Sequence, residues 1–166
     1  MVSYDPTLFA GAIPADSTKT GSFVQTDIGF SSRSATVSFD GAFAINYYLQ
    51  PNAVPDGEIT FYYWTALDYG KATTLTAENA SGRITMGNNG DGTYYARITG
   101  IAPKQMDDTY YAAAVYSNPE GTYCSGIIAY SLSRYCMNNA KDGKPMKDLA
   151  AATAVYGYHA KQYFAQ

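Results

Sequence analysis

The sequence predicts a mainly β fold: an antiparallel β-sandwich of Ig-like or Greek-key type, with a long C-terminal α-helix packed on it. Three observations carry this. Short segments rich in Tyr, Ile, Val and Thr recur along the middle of the chain, each bounded by turn-forming residues. The connections are short, which suits antiparallel neighbours rather than the long crossovers of a parallel sheet. Beyond residue 144 the turn signals stop, and apolar residues recur at alternating spacings of three and four.

Residues 1–34 are rich in Ser, Thr, Gly and Pro, with isolated apolar residues such as Phe23, Ile28 and Phe30. They read as an irregular N-terminal arm carrying edge strands, and 35–166 as a single sandwich domain closed by the helix. ATVSF and AFAINYYL flank Asp40-Gly41, a two-residue hairpin turn. In the second of these strands Phe43, Ile45, Tyr47 and Leu49 share a face, leaving Asn46 and Tyr48 on the other. QPNAVPDG is a loop by its prolines and its Asp-Gly. EITFYYWTA, RITMG, TYYARITGI, TYYAAAVYS and TYCSGIIAYSL are further strands, and NNGDG, APKQMDD and NPEG are turns among them. A helix is expected over 145–164, with Pro145 at its first position, where a missing amide costs nothing. Its stripe of Met146, Leu149, Thr153, Tyr156, Ala160 and Tyr163 should lie on the sandwich.

A chain of 166 residues buries roughly 70% of its unfolded surface and needs no metal or disulfide to hold a core. Net charge is −3 and basic residues do not cluster, so the phosphate-neutralising stripe of a nucleic-acid binder is missing. No apolar run approaches the ~18 residues of a membrane span, which argues against membrane insertion. MVSYDPTLFAGAIPAD lacks the basic start and apolar centre of a signal peptide. Cys124 and Cys136 are separated by a strand running into a helix, which favours buried free thiols over a disulfide.

Catalytic chemistry finds little support. His159 is the single histidine, on the last helix, with no nucleophile elbow in the chain to serve. Asp40, Asp56, Asp91, Asp107, Asp108, Glu120 and Asp142 sit in turns, where carboxylates usually bond local amides rather than flank a glycosidic bond. NNGDG offers oxygen ligands at close spacing but lacks the rest of an EF-hand loop, so a tight hairpin explains it better than calcium. Asn79 heads a formal glycosylation triplet, NAS. No glycine-rich loop opens a helix to hold phosphate. The expectation is a non-enzyme with no cofactor and no metal.

GAFAINYYL, GIAPKQMDDTYYAAAVY, AYSLSRYC and MKDLAAATAVYGYHAKQYF resemble a module found in secreted, cell-surface and cellulosome- or amylosome-associated proteins of clostridial gut anaerobes. The resemblance runs from about Ser34 to Phe164. It implies a secreted or cell-surface setting, a place as a monomeric module within a multidomain protein, and a glycan partner, with starch or another α-glucan favoured. It implies no particular site. The insert TALDYGKATTL departs from the family pattern and marks where this chain has acquired something of its own.

That insert follows the aromatic run of EITFYYWTA. A sugar ring has apolar C–H faces edged by hydroxyls, so its site wants a flat aromatic platform with polar groups in reach. FYYWTALDYGK supplies Trp64, Tyr69, Asp68 and Lys71 within eight residues, with Tyr62 beside them and Tyr48 as a further candidate. Alternation puts Phe61 and Tyr63 inward with Ile59, and Tyr62 and Trp64 outward. A half-exposed binding role for Trp64 is the reading adopted; burial under the helix or arm, or in the core, competes with it. The alternative function is a structural or protein-adhesion spacer.

Overall fold

A computed structural model describes residues 29–39 and 42–165. The arm up to residue 28 and the predicted Asp40-Gly41 turn lie outside the described residues. Among the described residues, nine strands form two antiparallel sheets. The four-stranded sheet holds β1 (Phe30–Ser38), β2 (Phe43–Pro51), β6 (Tyr94–Ile101) and β5 (Gly87–Asn88), in that order across the sheet. The second runs β4 (Gly82–Thr85), β3 (Thr60–Trp64), β7 (Tyr110–Asn118), β8 (Gly121–Cys124), and β9 (Ile128–Tyr130) also pairs with β7. Three helices complete it: α1 (Ala66–Lys71), α2 (Leu132–Asn139) and α3 (Lys147–Phe164).

Strand alternation builds one core between the sheets. Ile45, Tyr47 and Leu49 of β2, with Ala96 and Ile98 of β6, meet Phe61 of β3 and Ala112, Ala114 and Tyr116 of β7. The Tyr47 and Phe61 rings are 4.8 Å apart. Three differences from expectation have physical causes. β1 begins at Phe30 rather than Ala35, because buried Phe30 sets its ring edge-on to Tyr116 at 5.3 Å. TYCSGIIAYSL is two strands, since Gly126 takes φ +71° and the Ser125 hydroxyl accepts from the Ala114 amide at 2.9 Å. Both pieces still pair with β7. Cys124 and Cys136 are buried and are not joined in a disulfide, as expected.

The third difference is the face that α3 buries. Ala150, Ala151, Thr153, Ala154 and Gly157 are buried, whereas Met146, Leu149, Tyr156 and Tyr163 are exposed, Tyr163 to 72%. Of the predicted stripe, only Thr153 is buried. Small residues let α3 approach the 3-10 turn Pro103–Gln105 closely, and a Cβ on Gly157 would fall 1.6 Å from the Met106 Sδ. Lys161 pairs with Asp107 near the far end of the helix.

Candidate functional site

The predicted aromatic cluster exists, but as packing. Tyr62 and Trp64 do face away from the main core, as alternation requires. Trp64 is nevertheless 0% exposed, in a second hydrophobic cluster with Leu75, Ala113 and Cys124. Its cover is the insert itself. Thr65 caps α1 by accepting from the Asp68 amide at 3.2 Å, so DYGK forms a helical turn rather than a loop. Tyr69, placed on α1, stacks on Tyr111 of β7 with centroids 3.5 Å apart and planes within 6°. Burial pushes the Tyr111 phenol up, and Tyr69 adds to it. Asn79 closes the flap: its Oδ1 accepts from the Trp64 indole at 2.9 Å and from the Thr76 amide at 3.0 Å. Trp64 is therefore no open platform, and Tyr62 is half-buried and packed against the same cluster.

Asp68 and Lys71 do meet in one surface cleft of about 390 Å³, together with Ala72, Thr73, Thr74 and Asn79. Among the described residues no ring lines it, and the Asp68 carboxylate already accepts from the Ser81 hydroxyl at 2.6 Å. A second cleft of about 290 Å³, lined by Glu58, Thr60, Arg83 and Thr85, is likewise without a ring. Polar hydroxyl partners are present at both, but the stacking partner is not.

Tyr48 lies elsewhere, on the outer face of the four-stranded sheet. It sits directly opposite Tyr95 of β6, and its neighbour Asn46 opposite Arg97. On its other side β1 places Ser34 opposite Tyr48 and Thr36 opposite Asn46. Residues opposed in register project to the same face, so these six side chains share one surface, with Gln50 two residues further along β2. None of the seven belongs to either hydrophobic cluster. Tyr95 is 46% exposed and Tyr48 half-buried. A Cβ at Gly87 would lie 2.4 Å from the Tyr95 ring, so the ring is seated against bare backbone on the next strand. Asn46 is oriented by donating to the Ser38 hydroxyl at 2.8 Å. Arg97 is the single charge among these side chains.

Tyr95 and Arg97 were not among the predicted site residues. The alternation of TYYARITG does place both opposite Tyr94, Ala96 and Ile98, which is the signal that could have found them. The remaining candidates for chemistry are dispersed. His159 is exposed on α3 beside Tyr158. Asp108 is held above the usual carboxylate range by burial and then by Asp107, but Asp107 is engaged with Lys161. Among the described residues no group of three or more His, Cys, Asp or Glu side chains is arranged to hold a metal. NNGDG is the expected turn, with the Gly90 amide bonded to Asn88 and positive φ at Gly90 and Gly92.

No protein-family model and no curated protein matches the chain. Four solved chains resemble it in structure. One is a bromine derivative of BhCBM56, at 10% identity and TM-score 0.41, covering 64% of this chain and 96% of that one. Another is a GH family 64 laminaripentaose-producing β-1,3-glucanase from Paenibacillus barengoltzii complexed with laminarihexaose. It has 10% identity and TM-score 0.39, covering 62% of this chain and 21% of the glucanase. At this distance function has to be read from the chain's own surface.

Proposed function

We propose that this domain is a non-catalytic carbohydrate-binding module whose ligand lies on the outer face of the four-stranded sheet. The observation that carries the reading is the Tyr48–Tyr95 pair, two rings opposed in register on a face that neither hydrophobic cluster includes. A phenol ring accepts the C–H face of a pyranose, while amide, hydroxyl and guanidinium groups take the hydroxyl rim. Asn46, Gln50, Thr36 and Arg97 supply that rim. One cation among seven side chains suits a neutral glycan rather than an anionic one. Starch or another α-glucan is the class favoured by the resemblance of the chain. With it go a secreted or cell-surface location, an Ig-like or Greek-key sandwich and a monomeric role inside a multidomain protein.

Calorimetric titration with maltoheptaose and cellohexaose tests this directly. Tyr95→Ala is expected to weaken whichever oligosaccharide binds by about fivefold or more, since ring stacking contributes ~1–3 kcal/mol. An unchanged affinity overturns the platform.

A second reading, a structural or adhesion spacer, is favoured by the burial of Trp64 and the Tyr69–Tyr111 stack. The insert that sets this chain apart then serves stability, as a spacer requires. Absence of binding to any glycan, with full folding, selects it.

A further inference from the structure

At the end of β2 the sheet face runs into a cleft of about 280 Å³ between the β2–β3 connection and the β5–β6 hairpin. Gln50 belongs to both: it is next along the face after Tyr48, roughly 7 Å on at strand spacing, and it lines the cleft. One side of the cleft is apolar, made by Pro51, Ala53, Val54 and Pro55. Val54 stands 86% exposed, an aliphatic side chain held in water beside a concavity. The β5–β6 hairpin contributes Tyr94 and Gly92, and Gln50 and Asn52 add amide groups to the lining. Asn88 donates to the Tyr94 hydroxyl at 3.4 Å.

Size, polarity and charge each restrict the ligand. The volume falls just under the ~300 Å³ at which drug-sized sites begin, so it suits one ring rather than several. A lining that joins aliphatic side chains to amide and phenol groups fits a molecule with an apolar face and a hydroxyl edge. Among the described residues no charged side chain lines the cleft, so an ionised sugar or a phosphate would lose its hydration without compensation from them. We infer that this cleft is a subsite for one neutral pyranose residue of a glycan chain that continues along β2 onto Tyr48 and Tyr95. The inference rests on the platform reading. It adds that the chain lies along the strand direction and is held at the loop end of the sheet.

Val54→Asp tests it, because so exposed a loop residue can change without disturbing the core, and thermal unfolding verifies that it has. Wild type, Val54→Asp and Tyr95→Ala are titrated with maltotriose and maltoheptaose, and with cellotriose and cellohexaose. The expected result is that Val54→Asp weakens the longer oligosaccharide by about fivefold or more, as an aliphatic contact is lost and a charge is placed beside the sugar, and flattens the gain in affinity with chain length. If Tyr95→Ala weakens binding while Val54→Asp leaves every affinity unchanged, the cleft is no subsite and the platform stands alone. If Val54→Asp removes binding while Tyr95→Ala does not, the continuous track is overturned and the cleft alone is the sugar site. A wild-type protein that binds none of the four overturns both.

Discussion

The indole Nε1–H of Trp64 donates to Oδ1 of Asn79 at 2.9 Å, joining the segment that follows β3 to the sheet it covers. The same Asn79 side chain donates to the Thr74 carbonyl at 2.7 Å, so one amide holds both the tryptophan and its lid. Trp64→Ala is expected to cost ~3–5 kcal/mol, as other buried aromatic deletions do. That is a large share of the ~5–15 kcal/mol margin of a typical domain. Asn79→Ala is expected to cost less, ~1 kcal/mol, by removing the acceptor of the part-buried Trp64 indole. Urea midpoints measure both. Trp64 emission should be that of a buried indole and should not move when oligosaccharide is added; a ligand-dependent shift would return Trp64 to the binding surface.

Gly157 is the point of closest approach between α3 and the turn before β7. A methyl group there would meet Met106 Sδ at 1.6 Å and the Pro103 carbonyl oxygen at 3.0 Å. Alanine is the better helix former by ~1 kcal/mol, so helix propensity alone predicts that Gly157→Ala stabilises. Packing predicts the reverse, because overfilled sites typically cost ~1–3 kcal/mol. The expected outcome is a lower melting temperature, with the loss smaller when Gly157→Ala is made in a Met106→Ala background than in the wild type. A single substitution that raises the melting temperature would mean that α3 is not seated where the structure places it.

Asp108 gives stability a pH dependence whose sign is fixed. Burial, and next the charge of Asp107, raise its folded-state pKa above the ordinary value of 3.8. A raised carboxyl pKa means that the folded state holds the proton more tightly than the unfolded one. The favourable contribution is complete below pH 3.8 and is lost as pH rises through the folded value. At pH 7 the ionised group therefore costs stability. Asp108→Asn should raise the urea midpoint at pH 7 and leave it little changed near pH 3. Equal gains at both values would trace the effect to something other than ionisation.

Facing was legible in the sequence where covering was not. Strict alternation put Phe61 inward and Trp64 outward, and both hold. Nothing in the alternation of β3 says that α1 and Leu75 fold back over Trp64, since that depends on the Thr65 cap and a single apolar residue in a polar stretch. The helix α3 was legible for a similar reason and its orientation misread for another. Its large residues at three-and-four spacing mark a helix, yet Leu149, Tyr156 and Tyr163 face water. Ala150, Ala154 and Gly157 pack because their smallness lets backbones meet. The Tyr48–Tyr95 pairing needed knowledge that β2 pairs with β6 across three intervening strands, which no local pattern contains.

The binding surface yields a graded set of variants. Tyr95→Phe keeps the ring and its cover over Gly87, so affinity for the bound oligosaccharide should fall by no more than a few-fold. Tyr95→Ala and Tyr48→Ala remove a stacking face, and each should cost about fivefold to just over a hundredfold at ~1–3 kcal/mol per ring. Tyr95 is the cleaner test, because at 46% exposure its loss leaves the core intact. Arg97→Ala should weaken binding less than either tyrosine change, since a hydroxyl contact at an exposed site competes with water. Raising salt from 0.05 to 0.5 M (on the order of a threefold drop in screening length) should leave the wild-type affinity nearly constant, because neutral contacts are not screened. Calorimetry across that series separates the alternatives. A steep loss with salt, or an Arg97→Ala effect larger than that of both tyrosines, would point to an anionic ligand. Such a result would displace the neutral-glycan reading of this face.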